Sequence, residues 1–177
     1  MRKTAGLLIA FALLIPVGIM AAAPSGAAAG AGCKAITGVA TFKPALPVIT
    51  SKATVNTTVT IVSHLTGCTG PGGASGVATS TTKLTKANCL NVTQSLSASK
   101  PATQSVKWVK GQTSTATASL KPNGKSLQST LVSSTTAGLY KGTKLTGTLQ
   151  GSLVGGACTA KPMTTFPFKS IGKLVAS

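Results

Sequence analysis

Aspartate and glutamate are absent from this 177-residue chain, His64 is its only histidine, and four cysteines stand at Cys33, Cys68, Cys89 and Cys158. Without a side-chain carboxylate there is no acid pair for glycoside hydrolysis, no aspartic dyad and no Ser-His-Asp triad. Calcium and magnesium sites built on carboxylates are excluded as well. A lone histidine cannot share a metal with a second one. His64 falls in line with threonines and valines, the pattern of a half-exposed side chain rather than a general base. Ser95, Ser97 and Ser99 near Lys100 hold the raw material of a Ser–Lys dyad. Serine and lysine recur throughout the chain, however, so that grouping singles out nothing. The expectation is a protein without enzymatic activity, cofactor or metal.

One segment could recognise a ligand. Lys107-Trp108-Val109-Lys110 places an aromatic ring between cations, an arrangement that offers stacking plus charge. The competing expectation is that Trp108 and Val106 share a face and Trp108 anchors the core, since aromatic residues are only 3% of the chain. Arg2 is the only arginine, so bidentate reading of phosphate or guanine is not available further along. Any polyanion binding would be independent of sequence and sensitive to salt. The partners expected on this basis are anionic cell-surface polymers held by lysines, with no specific nucleic-acid recognition.

The charge is one-sided. Lys+Arg number 17 against no acidic side chain, so no lysine has an internal partner except the C-terminal carboxylate of Ser177. Self-repulsion on a domain of this size is on the order of 5 kcal/mol at physiological salt, comparable to the whole stability of many domains. Acid unfolding mostly comes from protonating carboxylates that are paired in the folded state, and here that cause is missing. Stability is therefore expected to stay nearly flat from about pH 3 to about pH 9. A urea midpoint that collapsed on moving from neutral to acid would contradict this.

Elements must hold these residues. Gly142–Cys158 is the clearest. Read with a period of two, Leu145, Gly147, Leu149, Gly151, Leu153 and Gly155 form one side, and Thr146, Thr148, Gln150 and Ser152 the other. Large and absent side chains take turns on the apolar side, which suits a tapering or strongly curved interior. Upstream, Ala35–Phe42 reads as a strand ended by Pro44 and Pro47, and Ala53–Cys68 as a long half-buried one. Thr69-Gly70-Pro71-Gly72-Gly73 is a turn. Gly76–Thr82 and Asn88–Leu96 read as short strands, followed by Gln104–Lys110 and Thr113–Leu120. A hairpin turn is expected at Lys121-Pro122-Asn123-Gly124, then strands over Ser126–Thr135, Gly138–Val154 and Met163–Val175. About eight or nine short strands at regular spacing predict an all-β, antiparallel β-sandwich of Ig-like or Greek-key type, with a small closed β-barrel as the alternative.

The N-terminus carries Arg2-Lys3, an apolar run from Ala5 to Met20 and a small-residue stretch through Ala29, the order of a secretory signal peptide. Cleavage after Ala29 is expected, leaving 30–177 as a single disulfide-stabilised β domain. An uncleaved anchor over Ala5–Ala23 and a lipoprotein signal ending at Cys33 are the other readings. In an exported chain four cysteines imply two disulfides; zinc is disfavoured because no pair has close C-x-x-C spacing. Cys68–Cys89, tying the ends of a glycine-rich excursion, together with Cys33–Cys158 is the pairing expected here. Each would contribute roughly 3–5 kcal/mol.

The alanine-rich signal, the four cysteines, the Val-Lys-Trp-Val segment and the late Leu-Thr-Gly-Thr-Leu-Gln-Gly strand resemble small secreted β-proteins of actinobacterial type, a group without an assigned activity. The chain is superficially similar to the Ig-like apoproteins that carry enediyne chromophores, which are shorter and acidic. These features predict a secreted, extracellular or cell-wall-associated monomer, with no membrane span once the signal is removed. Its expected role is structural or binding, with lysines on anionic polymers. The alternative is a small-molecule or lipid carrier with a cavity inside a curved barrel.

Overall fold

Threonine, serine and valine at alternate positions make strands because branched or hydroxylated side chains fit a pleated, half-buried surface. The computed structural model describes residues 32–92, 95, 96, 100–123 and 127–177. The expected signal segment and the tip of the Asn123–Gly124 turn lie outside the described residues. Eight strands follow one another: β1 (Ala35–Leu46), β2 (Val55–Thr66), β3 (Ser75–Ala87), β4 (Ala102–Trp108), β5 (Thr113–Pro122), β6 (Gln128–Gly138), β7 (Lys144–Gly151) and β8 (Met163–Ala176). Each is antiparallel to the next, and β8 pairs back onto β1.

The result is a closed up-and-down barrel. The all-β antiparallel expectation holds, but the β-sandwich does not form; the closed barrel given as its alternative does. A sandwich needs strands that cross from one sheet to the other. Here every strand bonds to its chain neighbours, and the pairing of Thr37–Thr41 with Thr165–Lys169 removes the last free edge.

Burial alternates as the pleat requires. In β3, Gly76, Ala78, Ser80 and Leu84 are buried between exposed Val77, Thr79, Thr81, Lys83 and Thr85. The outer wall is mostly threonine and lysine and the inner wall mostly aliphatic. This inverts the apolar-out, polar-in pattern of a membrane-spanning barrel.

In β7 the inward glycines make room for large partners. A Cβ on Gly147 would overlap the Leu174 side chain, and one on Gly151 would overlap the Phe166 ring. The strand stops at Gly151, short of the expected end. Leu153 and Val154 are exposed, and Gly155 takes φ +54° in the turn that follows.

Two further segments differ from expectation. Gly138–Val154 is not continuous. Gly138 has φ +77°, Tyr140 φ +64° and Gly142 φ +89°, and they turn the chain between β6 and β7. Asn88–Leu96 is not a strand. Asn88 accepts bonds from the N–H groups of Leu90 (3.0 Å) and Asn91 (3.1 Å) through Oδ1, while Asn91 Oδ1 accepts from Asn88 N (2.8 Å). This reciprocal cap starts a helical turn, in which Ser95 N donates to Asn91 O.

The disulfides are Cys33–Cys68 and Cys89–Cys158, not the pairs expected. The register explains why. Ala35 lies opposite Thr66, so Cys33 and Cys68, each two residues further on, meet beyond the end of the β1–β2 ladder. β3 then carries the chain the length of the barrel, at about 3.3 Å per residue, before it reaches Cys89. One bridge therefore staples each end. Around the first, Trp108, Tyr140, Leu65 and Val106 form one core cluster; around the second, Leu46, Val59, Met163 and Phe166 form another. These are called the Trp108 end and the Met163 end below.

Candidate functional site

Eight strands give a barrel just wide enough for side chains to fill or for one small ligand to occupy. With so many inward glycines, alanines and serines, this interior is not filled. Ile61, Leu120, Ser133, Leu145 and Phe168 line the barrel axis yet remain only half-buried, because they border an internal cavity of about 140 Å³. The closure at the Trp108 end is specific. The Trp108 and Tyr140 rings meet edge to face with centroids 4.9 Å apart. Tyr140 Oη accepts from Gly72 N at 2.7 Å and donates to Thr69 O at 3.3 Å, fastening the β2–β3 turn over the opening. Trp108 Nε1 donates to Ser114 Oγ at 2.8 Å, and Ser114 Oγ donates in turn to Leu139 O. At the other end Leu96 and Leu127 border the cavity.

Among the described residues no lysine and no histidine lines this space, and every described lysine is exposed. Its polar groups are hydroxyls and one amide. Ser63, Ser80 and Ser129 are 5–8% exposed. Ser80 lies opposite Gln104 across the β3–β4 ladder, and Ser63 is one diagonal step away on β2. A buried hydroxyl without a partner costs about 1–3 kcal/mol. These serines and Gln104 make no side-chain hydrogen bond to another described residue, and no buried side-chain N or O in the described residues is fully enclosed without a partner. Their polar atoms therefore open onto the cavity. Such a space can hold a neutral, mostly apolar molecule and offer it hydrogen bonds. Among the described residues that line it, no base stands beside a hydroxyl.

No family model, curated protein or solved structure matches the chain.

The residues singled out in the sequence are scattered. Lys107 and Lys110 are exposed, while Trp108 is 6% exposed and faces the interior between them, so the three do not form one surface. His64 is exposed on the outer wall of β2, between Thr37 and Val77. Ser95 sits on the helical turn and Lys100 is exposed; Ser97 and Ser99 lie outside the described residues. Among the described residues no three His, Cys, Asp or Glu side chains gather where a metal could bind. With Cys33 bonded to Cys68, the Cys33 sulfur is not free for a lipid thioether.

Sequence reasoning missed Ser63, Ser80 and Gln104. The signal was present. Ser63 shares its parity with Val59, Ile61 and Leu65, and Gln104 shares its parity with Val106 and Trp108. A polar residue on an apolar face is the informative exception in a strand.

Proposed function

We propose that this protein binds a small, neutral, mainly apolar molecule bearing one hydrogen-bonding group inside its barrel, and that it does so without catalysis, outside the cytoplasm. The observation that carries this reading is the cavity of about 140 Å³ into which Ser63, Ser80 and Gln104 open. Dry apolar cavities of about 150 Å³ take a single benzene ring, so the fitting ligand is of one-ring size. The two disulfides are consistent with an oxidising, extracellular location. Association of the outer wall with anionic cell-surface polymers is a second role, supported by lysines that are exposed and have no carboxylate side chain to pair with.

Titration of the protein with toluene and phenol, followed by NMR and thermal shift, tests the binding reading. One-site saturable binding is expected for both, with phenol the tighter by about 3–10-fold, the range that one net hydrogen bond of about 0.5–1.5 kcal/mol supplies. Gln104→Leu is expected to reduce the preference and keep toluene binding. Ala118→Phe, which fills the cavity from β5, is expected to abolish both. Non-saturable uptake, or an Ala118→Phe protein that folds and binds as before, would overturn the proposal.

A further inference from the structure

The two ends of the barrel differ in what their loops present. At the Met163 end three described connections each carry an exposed aliphatic side chain. Ile49 (38% exposed) lies between β1 and β2, Leu90 (67%) between β3 and β4, and Leu153 (43%) with Val154 (55%) between β7 and β8. They belong to one surface: Ile49, Leu90 and Leu153 line a common groove floored by the Cys89–Cys158 bridge and Met163. That surface is also held in place. Ile49 N donates to Cys158 O at 2.7 Å, Cys89 N donates to Pro47 O at 3.4 Å, and the disulfide joins the second and third loops. At the Trp108 end the described connections between strands expose a single large hydrophobic side chain, Val109.

Charge decides what can cover such a face. The connections that carry the aliphatic tips also carry exposed Lys52, Lys100 and Lys161, and Lys86 is exposed immediately before β3 ends at Ala87. With no acidic side chain anywhere in the chain, a second copy would bring lysine against lysine. A surface that is apolar at its tips and cationic around them matches one that is apolar below an anionic layer. We propose that the Met163 end of the barrel docks onto an anionic lipid bilayer, with Ile49, Leu90, Leu153 and Val154 entering the headgroup–acyl boundary and the lysines facing lipid phosphates. Interfacial binding of this kind adds burial of the apolar tips to attraction between each nearby lysine and the anionic headgroups. The inference stands on the loops alone and is independent of what the cavity holds. Its geometric consequence is that Leu127 and Phe166, which line both the groove and the cavity, would be the partition between bilayer and barrel interior.

Vesicle co-sedimentation tests it, using exported protein with its disulfides formed and the same N-terminus in every variant. The probes are vesicles of phosphatidylcholine alone, vesicles of phosphatidylcholine with phosphatidylglycerol, and soluble dextran sulfate. Binding is expected on the anionic vesicles and not on phosphatidylcholine alone. The double substitution Leu90→Ser, Leu153→Ser is expected to weaken it about tenfold or more, while Val109→Ser at the far end leaves it unchanged. All three positions are exposed, and thermal unfolding confirms that the variants fold. The tip variant should still bind dextran sulfate as the parent does. The proposal is overturned if the tip substitutions leave vesicle binding unchanged, if neutral vesicles bind equally well, if nothing binds, or if the parent is a dimer that the same substitutions dissociate. Loss of phenol binding in solution would bear on the cavity and leave this outcome untouched.

Discussion

Replacing Cys89 and Cys158 together by alanine is expected to lower the unfolding free energy by about 4 kcal/mol, read from the urea midpoint by far-UV circular dichroism. The bridge joins positions 69 residues apart, and closing a loop of that length in the unfolded chain removes entropy worth about 4 kcal/mol near room temperature. Because the dependence on loop length is logarithmic, the Cys33–Cys68 bridge, with a separation of 35, is expected to be worth only about half a kcal/mol less. The difference between the two lies in what each holds. Cys89–Cys158 ties the β3–β4 connection to the turn before β8 and floors the apolar groove, so its loss should loosen that end as well as free the unfolded chain. Against a typical total of about 5–15 kcal/mol, and with uncompensated lysine repulsion already present, the reduced protein should be marginal. A cost below about 1 kcal/mol would show that the unfolded chain is already constrained near these residues.

Trp108→Ala is expected to cost about 3–5 kcal/mol. The indole is 6% exposed, packs edge to face on Tyr140 and donates to Ser114. Its loss removes a large buried surface and also unseats the Tyr140 ring that fastens the β2–β3 turn. Trp108→Phe keeps most of the packing and loses the N–H bond to Ser114, so about 1 kcal/mol is expected there. Since Trp108 is the only tryptophan, circular dichroism rather than intrinsic fluorescence must follow the alanine variant. A Trp108→Ala protein as stable as the parent would mean that the Trp108 end is held by its disulfide alone.

How far these features could be read in advance varies from element to element. Alternation placed β2, β4 and β5 close to their true positions, because one face of each is mostly apolar and the other mostly hydroxylated. It failed at Gly138–Lys144, where Leu139 and Tyr140 continue the apolar pattern across a turn. The turn depends on Tyr140 adopting a positive φ so that its hydroxyl reaches Gly72, a contact between residues 68 apart in the chain. After β3, the capping bonds of Asn88 and Asn91 override the β-propensity of the residues around them. Barrel and sandwich share their strand signals. What separates them is the pairing of each strand with its chain neighbour, to which the large–small alternation at Leu145, Gly147, Leu149 and Gly151, which matches a curved wall, was the one sequence pointer. The disulfide pairing followed from strand register, which only the pairing partners fix. Of the cavity, the apolar wall was legible as core; its vacancy was not, because it depends on how far apart closure holds the strands.

The closed meander also fixes an order of events. Seven of the eight strand pairings join consecutive strands and can form as soon as both partners are in place, whereas the β1–β8 pairing joins the two ends of the chain. Local pairings form readily and distant ones slowly, so closure is expected to be the last and slowest step of folding. Until the 14 residues of β8 emerge, β1 and β7 both present unpaired edges, open to pairing with another chain. A chain truncated before Met163 could not close its sheet at all, and should accumulate as edge-to-edge aggregates instead of a smaller barrel.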